Sequence, residues 1–167
     1  MVKSAVYSKL DADLNAAVTQ VLSSMVNLEA SAKDMYEGTP KRFDVDLSGV
    51  IGITAPGFSG AVAIHCDFRL AHKITSILLC TEMPASTDRI NDEVRDAFGE
   101  LVNVIVGSFK VSLSTFIGCP AQMTVPTVIV GHTHSTHICG GGEWRAIMFD
   151  VSGERLLVEC QLIYDKN

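Results

Sequence analysis

From about Leu10 to Glu29 the apolar residues Leu14, Val18, Val21, Leu22, Met25 and Leu28 return at three- and four-residue steps, the period of a helix with one buried face. Ser8, three residues before Asp11, gives this helix a weak capping-box start. Its far end gives way to ASAKDMYEGTPKR, read as a polar connection because Gly38 and Pro40 punctuate it. The period then shortens. Val45 to Thr54 and Ala61 to Cys66 are β-type runs around Pro-Gly and Ser-Gly turn signals, which predicts an antiparallel hairpin. Asp67 is placed to cap a shorter helix in FRLAHKITSILLC, with Leu70, Ile74, Ile77 and Leu78 on its apolar side.

After the polar loop TEMPASTDRIN, Asn91 followed by Asp92 and Glu93 marks the start of a second long helix, expected to run to about Leu113. β-like runs follow at Gln122 to Val125 and Thr127 to His132. The segment GHTHSTHICGGG comes next, then the hairpin WRAIMFDVSGERLLVECQLIY, turning at Ser152-Gly153. The layout is α+β: long helices on an antiparallel β-sheet, with no linker to divide residues 1–167 into two domains. Helix followed by strands occurs twice, which hints at an internal pseudo-repeat.

Composition narrows the function classes. Nearly half of the 167 residues are apolar, enough for a sizeable core without staples. Thirteen basic and 19 acidic side chains leave a formal charge of -6, so no cationic surface dominates and nucleic acid is set aside. Five cysteines, Cys66, Cys80, Cys119, Cys139 and Cys160, contain no CxxC pair and do not resemble a disulfide framework, which points to a reducing cytoplasm. The N-terminal stretch carries charges too early for a signal-peptide core, and no apolar run approaches a membrane span, so no membrane association is expected.

The second long helix holds the candidate chemistry. In DAFGELVNVIVGSFK, a turn of about 100° per residue puts Asp96, Glu100, Asn103 and Gly107 within a sector of roughly 60°. Glu93 and Lys110 extend the stripe, while Val94, Phe98, Leu101, Ile105 and Phe109 form the opposite, core-facing side. A wet helix face accounts for part of this pattern. Two features exceed it: Asn103 is a poor helix-interior residue, and Gly107 costs about 1 kcal/mol against Ala while leaving a notch that another backbone can approach. Asn103 is no general base near neutral pH, but its amide offers an acceptor and two donors, enough to orient a water. Phosphoryl transfer relies on such positioning, and Glu100, three residues away on the same face, is suited to pair with a partner's cation.

Asp96-x-x-x-Glu100-x-x-Asn103, followed after 22 residues by Pro126, resembles the signature of the CheC/CheX/FliY phosphatases, which dephosphorylate the response regulator CheY. The order of elements from about Leu10 to Tyr164 is similar to the CheX branch. The resemblance implies that Asn103 orients the water attacking the aspartyl phosphate of a bound receiver and that Glu100 pairs with the receiver's active-site lysine. Asp96 and Pro126 match flanking positions and would shape the site. The receiver would bring its own Mg²⁺ and phosphorylated aspartate, so this chain needs no bound cofactor or metal of its own. The first helix contains no ExxN, which implies one active centre per chain and, as in the CheX branch, a homodimer with joined sheets. A CheX-like adaptor, binding a receiver or a flagellar switch component without hydrolysis, is the competing class.

Other features carry less. His132, His134, His137 and Cys139 lie within eight residues and invite a metal-site reading. In an extended strand, however, His132 and His134 share one face and His137 and Cys139 the other, so a sharp turn is needed for all four to converge. A metal-dependent enzyme built on this segment is a third class. A Cys-His hydrolase is disfavoured because Cys66, Cys80 and Cys160 are expected in buried core elements. His65 and His72 are read as packing or surface residues, and Trp144 as core or dimer edge.

Overall fold

A computed structural model describes residues 2–82, 90–134 and 142–164, with side chains described within 7–82, 90–131 and 142–163. The chain forms α1 (Val2–Val26), β1 (Ala30–Gly38), β2 (Val45–Ala55), β3 (Phe58–Cys66), α2 (Phe68–Leu79) and α3 (Asp92–Ile117). It continues through β4 (Gln122–Met123), β5 (Thr127–His134), β6 (Glu143–Val151) and β7 (Glu154–Tyr164). All pairings are antiparallel, in the order β1-β6-β7-β3-β2, and β4 and β5 share the remaining edge of β2. This is the α+β arrangement of helices on an antiparallel sheet that the periodicities predict.

The pleat sorts β6 between two environments. Ile147, Phe149 and Val151 enter the main core with α1, α2 and α3, while Trp144 and Ala146 lie on the opposite face with Leu157, Tyr36, Phe43 and Met148. Trp144 is therefore a core residue. Arg145 faces the helices instead and donates to Asp11 of α1, at 2.7 Å from Nε to Oδ1. Asp11, expected near the helix start, is thus a buried mid-helix residue that ties α1 to the sheet.

Several boundaries depart from the sequence reading. The segment read as a polar connection contains β1, which the apolar pattern misses because nearly all of its side chains are exposed and its identity comes from pairing with β6. α1 begins well before Leu10, and α3 runs four residues past Leu113, to Ile117, where Gly118 takes a left-handed φ of 71°. Asp67 and Asn91 cap α2 and α3 as expected, accepting from Leu70 N at 3.0 Å and Val94 N at 2.9 Å. On α2, Ile77 is exposed rather than part of the buried side. Most of the loop TEMPASTDRIN, residues 83–89, lies outside the described residues. By length and composition α3 could cross a membrane, but Val94, Phe98, Leu101, Val102, Ile105, Val106 and Phe109 are buried inside the protein.

Candidate functional site

Two glycines bring α3 close to the sheet. A Cβ added at Gly49 of β2 would lie 2.7 Å from Val102 Cγ2, and one at Gly99 would lie 3.2 Å from Val128 Cγ2 of β5. The helix is thereby seated on β2 and β5 by backbone approach on either side of Glu100. Its core-facing side is the one predicted, with Val94, Phe98, Leu101, Ile105 and Phe109 all buried. Opposite the helix, the link between β4 and β5 is clipped to β2: Thr124 N donates to Gly52 O at 3.0 Å, and Gly52 N donates to Thr124 Oγ1 at 3.0 Å. These bonds fix the segment that presents Pro126.

Between helix and strand runs an open groove of about 500 Å³, lined by Arg95, Asp96, Gly99, Glu100, Asn103, Pro126 and Val128. Four of the residues singled out by spacing, Asp96, Glu100, Asn103 and Pro126, therefore meet in one place. Gly107 lies outside this lining, one turn further along; a Cβ there would touch the Met123 methyl at 4.0 Å, an ordinary contact. Glu100 is exposed and Asn103 half-buried. Among the described residues neither side chain has a hydrogen bond or ion pair, so both polar ends are open to an incoming group. Asp96 is engaged: Arg95 reaches its Oδ1 from Nε and Nη2, both at 3.2 Å.

Arg95, Gly99 and Val128 complete the lining and lie outside the motif spacing. Arg95 carried a signal: a cation in the second turn from a helix N-terminus sits against the helix dipole and calls for a reason. Gly99 carried the signal already noted at Gly107, a glycine inside a helix.

The remaining candidates lie apart from the groove. His132 and His134 are on β5, whereas His137 and Cys139 lie outside the described residues. No grouping of three or more His, Cys, Asp or Glu side chains suited to a metal occurs among the described residues. Cys66 and Cys160 are buried, and burial pushes both thiols up, Cys160 to about 12. Cys80 corrects the expectation of a third buried thiol: it is exposed at the left-handed C-cap of α2, outside the core-facing part of that helix. His72 is half-buried, with its ring at the edge of Phe68. His65 is buried, with Nδ1 at 2.7 Å from Ser48 Oγ and Nε2 at 3.7 Å from Glu159 Oε2. That array resembles a hydrolytic triad in composition, but Ser48 is 0% exposed, which makes the cluster a packing feature.

The fold and groove together define a protein whose candidate site is an open cleft between one helix and one strand link, with no enclosing pocket around it. The chain belongs to the CheX family: the family described as chemotaxis phosphatase CheX matches residues 47–149. A chemotaxis protein CheX from Vibrio vulnificus is 26% identical, with a TM-score of 0.81 over 90% of this chain and 97% of that one. CheX from Desulfovibrio desulfuricans is 25% identical, with a TM-score of 0.80 over 92% and 99%. The CheX-CheY-BeF3-Mg²⁺ complex from Borrelia burgdorferi is similar in fold, with a TM-score of 0.66 at 20% identity over 90% and 96%. No curated protein matches the sequence.

Proposed function

We propose that this chain, read as one domain, is a phosphatase of phosphorylated CheY-like receiver domains in chemotaxis or a related two-component pathway, acting in the cytoplasm. The observation that carries the reading is the meeting of Asp96, Glu100, Asn103 and Pro126 in one open groove, with Glu100 and Asn103 unengaged. The partner class draws support from the Borrelia complex, which joins a CheX and a CheY together with BeF3 and Mg²⁺.

In this reading the Asn103 amide holds a water in line with the phosphorus of the receiver's aspartyl phosphate. The water oxygen forms the new P–O bond as the acyl P–O bond breaks, leaving inorganic phosphate and a free aspartate carboxylate; the water's protons pass to phosphate and solvent. Glu100 pairs with the receiver's lysine and fixes the approach. Positioning of this kind lowers the barrier by prepaying orientation rather than by proton transfer from the chain. Mg²⁺ belongs to the receiver, where it offsets charge on the phosphoryl oxygens. Asp96 and Pro126 shape the walls, and Gly107 leaves room beyond them for the partner. A homodimer is expected from the family resemblance, and static light scattering measures it.

The test is single-turnover loss of phosphate from candidate receivers. Asn103→Ala should reduce the acceleration by about a hundredfold, the scale of losing one preorganised polar group at a reacting centre. Acceleration by Asn103→Ala at the wild-type rate refutes the mechanism. Binding by the wild-type chain with an unchanged phosphate lifetime supports the adaptor class instead.

A further inference from the structure

Arg95 is placed where helix energetics do not favour it. It follows Asp92, Glu93 and Val94 in α3, close to the positive end of the dipole, and its guanidinium spans two carboxylates: Asp92 Oδ1 at 3.0 Å from Nη1 and Asp96 Oδ1 at 3.2 Å from Nη2. Asp92 lies outside the groove lining, whereas Arg95 and Asp96 are both part of it. The groove therefore contains two carboxylates, Asp96 and Glu100, and one cation, and that cation is shared between Asp96 and Asp92 and makes no pair with Glu100.

We propose that Arg95 is a positioning residue for the phosphorylated partner: it offsets part of the charge at Asp96, so that an incoming aspartyl phosphate meets Glu100 as the one groove carboxylate with no ion-pair partner among the described residues. The inference rests on the reading of the groove as a receiver site. Without Arg95 the partner's phosphoryl group, drawn toward Asn103, would approach two adjacent carboxylates of its own sign. Glu100 must keep its charge to hold the partner's lysine, so Asp96 is the carboxylate whose charge has to be offset. The planar fork of arginine reaches both Asp92 and Asp96 at once, which holds the guanidinium along the helix instead of across the groove mouth.

The experiment measures association of the full chain with a BeF3/Mg²⁺-loaded receiver, chosen as one whose phosphate loss the wild-type chain accelerates, at low and high salt. Arg95→Ala should slow association about fivefold at low salt, and the deficit should shrink as salt screens the groove. Adding Asp96→Asn to Arg95→Ala should restore the rate, because removal of the anion stands in for the lost offset; Arg95→Lys should retain most of it. Association of Arg95→Ala at the wild-type rate overturns the proposal. So does a deficit that persists in the double variant, since Arg95 would then contact the partner directly. A wild-type chain that accelerates no receiver fails at the earlier step and counts against the functional reading of the groove.

Discussion

Replacing Gly107 by alanine separates what the helix needs from what the site needs. A glycine inside a helix is about 1 kcal/mol less favourable than alanine because it gives up more backbone freedom on folding. The structure sets the opposing steric cost near zero: the new Cβ would find its closest neighbour, Met123 Cε, at 4.0 Å. Gly107→Ala should therefore stabilise the protein by about 0.5–1 kcal/mol, equivalent to a rise in Tm of roughly 1–4 °C for a chain of this size. Urea unfolding followed by far-UV circular dichroism checks this, with the midpoint moving and the slope unchanged. Gly49→Ala is the control. Its Cβ would fall 2.7 Å from Val102 Cγ2, and the crowding should cost about 1–3 kcal/mol while displacing the residue next to Asn103. Equal or lower stability in Gly107→Ala would refute the reasoning. If the partner's backbone enters the Gly107 notch, that variant will also bind the receiver more weakly despite being more stable.

Asp11→Ala removes the carboxylate that Arg145 meets beneath α1 and leaves the guanidinium with the exposed Glu37 at 3.2 Å; urea unfolding should register a loss of about 2–3 kcal/mol, partly recovered by adding Arg145→Met. The buried thiols set an alkaline limit. Because Cys160 titrates near 12 when folded and near 9 when unfolded, its protonated form contributes stability that is complete below pH 9 and lost as the pH rises toward 12. Cys66 is shifted in the same direction, so stability should fall steadily as the pH climbs above 9, and Cys66→Ala/Cys160→Ala should flatten the profile. In the native protein at pH 8, Cys80 should react with a thiol reagent well before Cys66 or Cys160. Val125 is 81% exposed beside Pro126; if the groove receives a receiver domain, Val125→Asp should weaken that binding while changing stability by no more than about 0.5 kcal/mol.

The readable part of the chain is the part governed by local rules. Asn91 and Asp67 mark helix starts because a cap satisfies amides a few residues away, and the seam of Asp96, Glu100 and Asn103 follows from helical rotation alone. β1 escapes notice because an exposed edge strand has no apolar alternation to betray it, and its hydrogen bonds come from β6, more than a hundred residues later in the chain. Asp11 looks like part of a helix start because its partner, Arg145, is 134 positions away. The apolar neighbours of Cys80 suggest a core position, but it falls just past the helix end. In the groove, motif spacing brings in Pro126 and a mid-helix glycine marks Gly99, whereas Val128 enters through tertiary approach, which no local pattern encodes.

Pro126 also governs the margin of the sheet. β4 and β5 lie along the same edge of β2, pairing at Ile53↔Met123 and Val50↔Thr127, and the proline falls between them without an amide hydrogen to donate. The border is thus a two-residue piece and an eight-residue piece instead of one continuous ribbon. A broken border is a poor template for a foreign strand, even though Ile129 and Val130 leave apolar surface on the longer piece. The proline that walls the groove thereby guards that side of the protein against unwanted strand addition, and a variant that allowed the two pieces to fuse would show the cost as aggregation before any loss of folding.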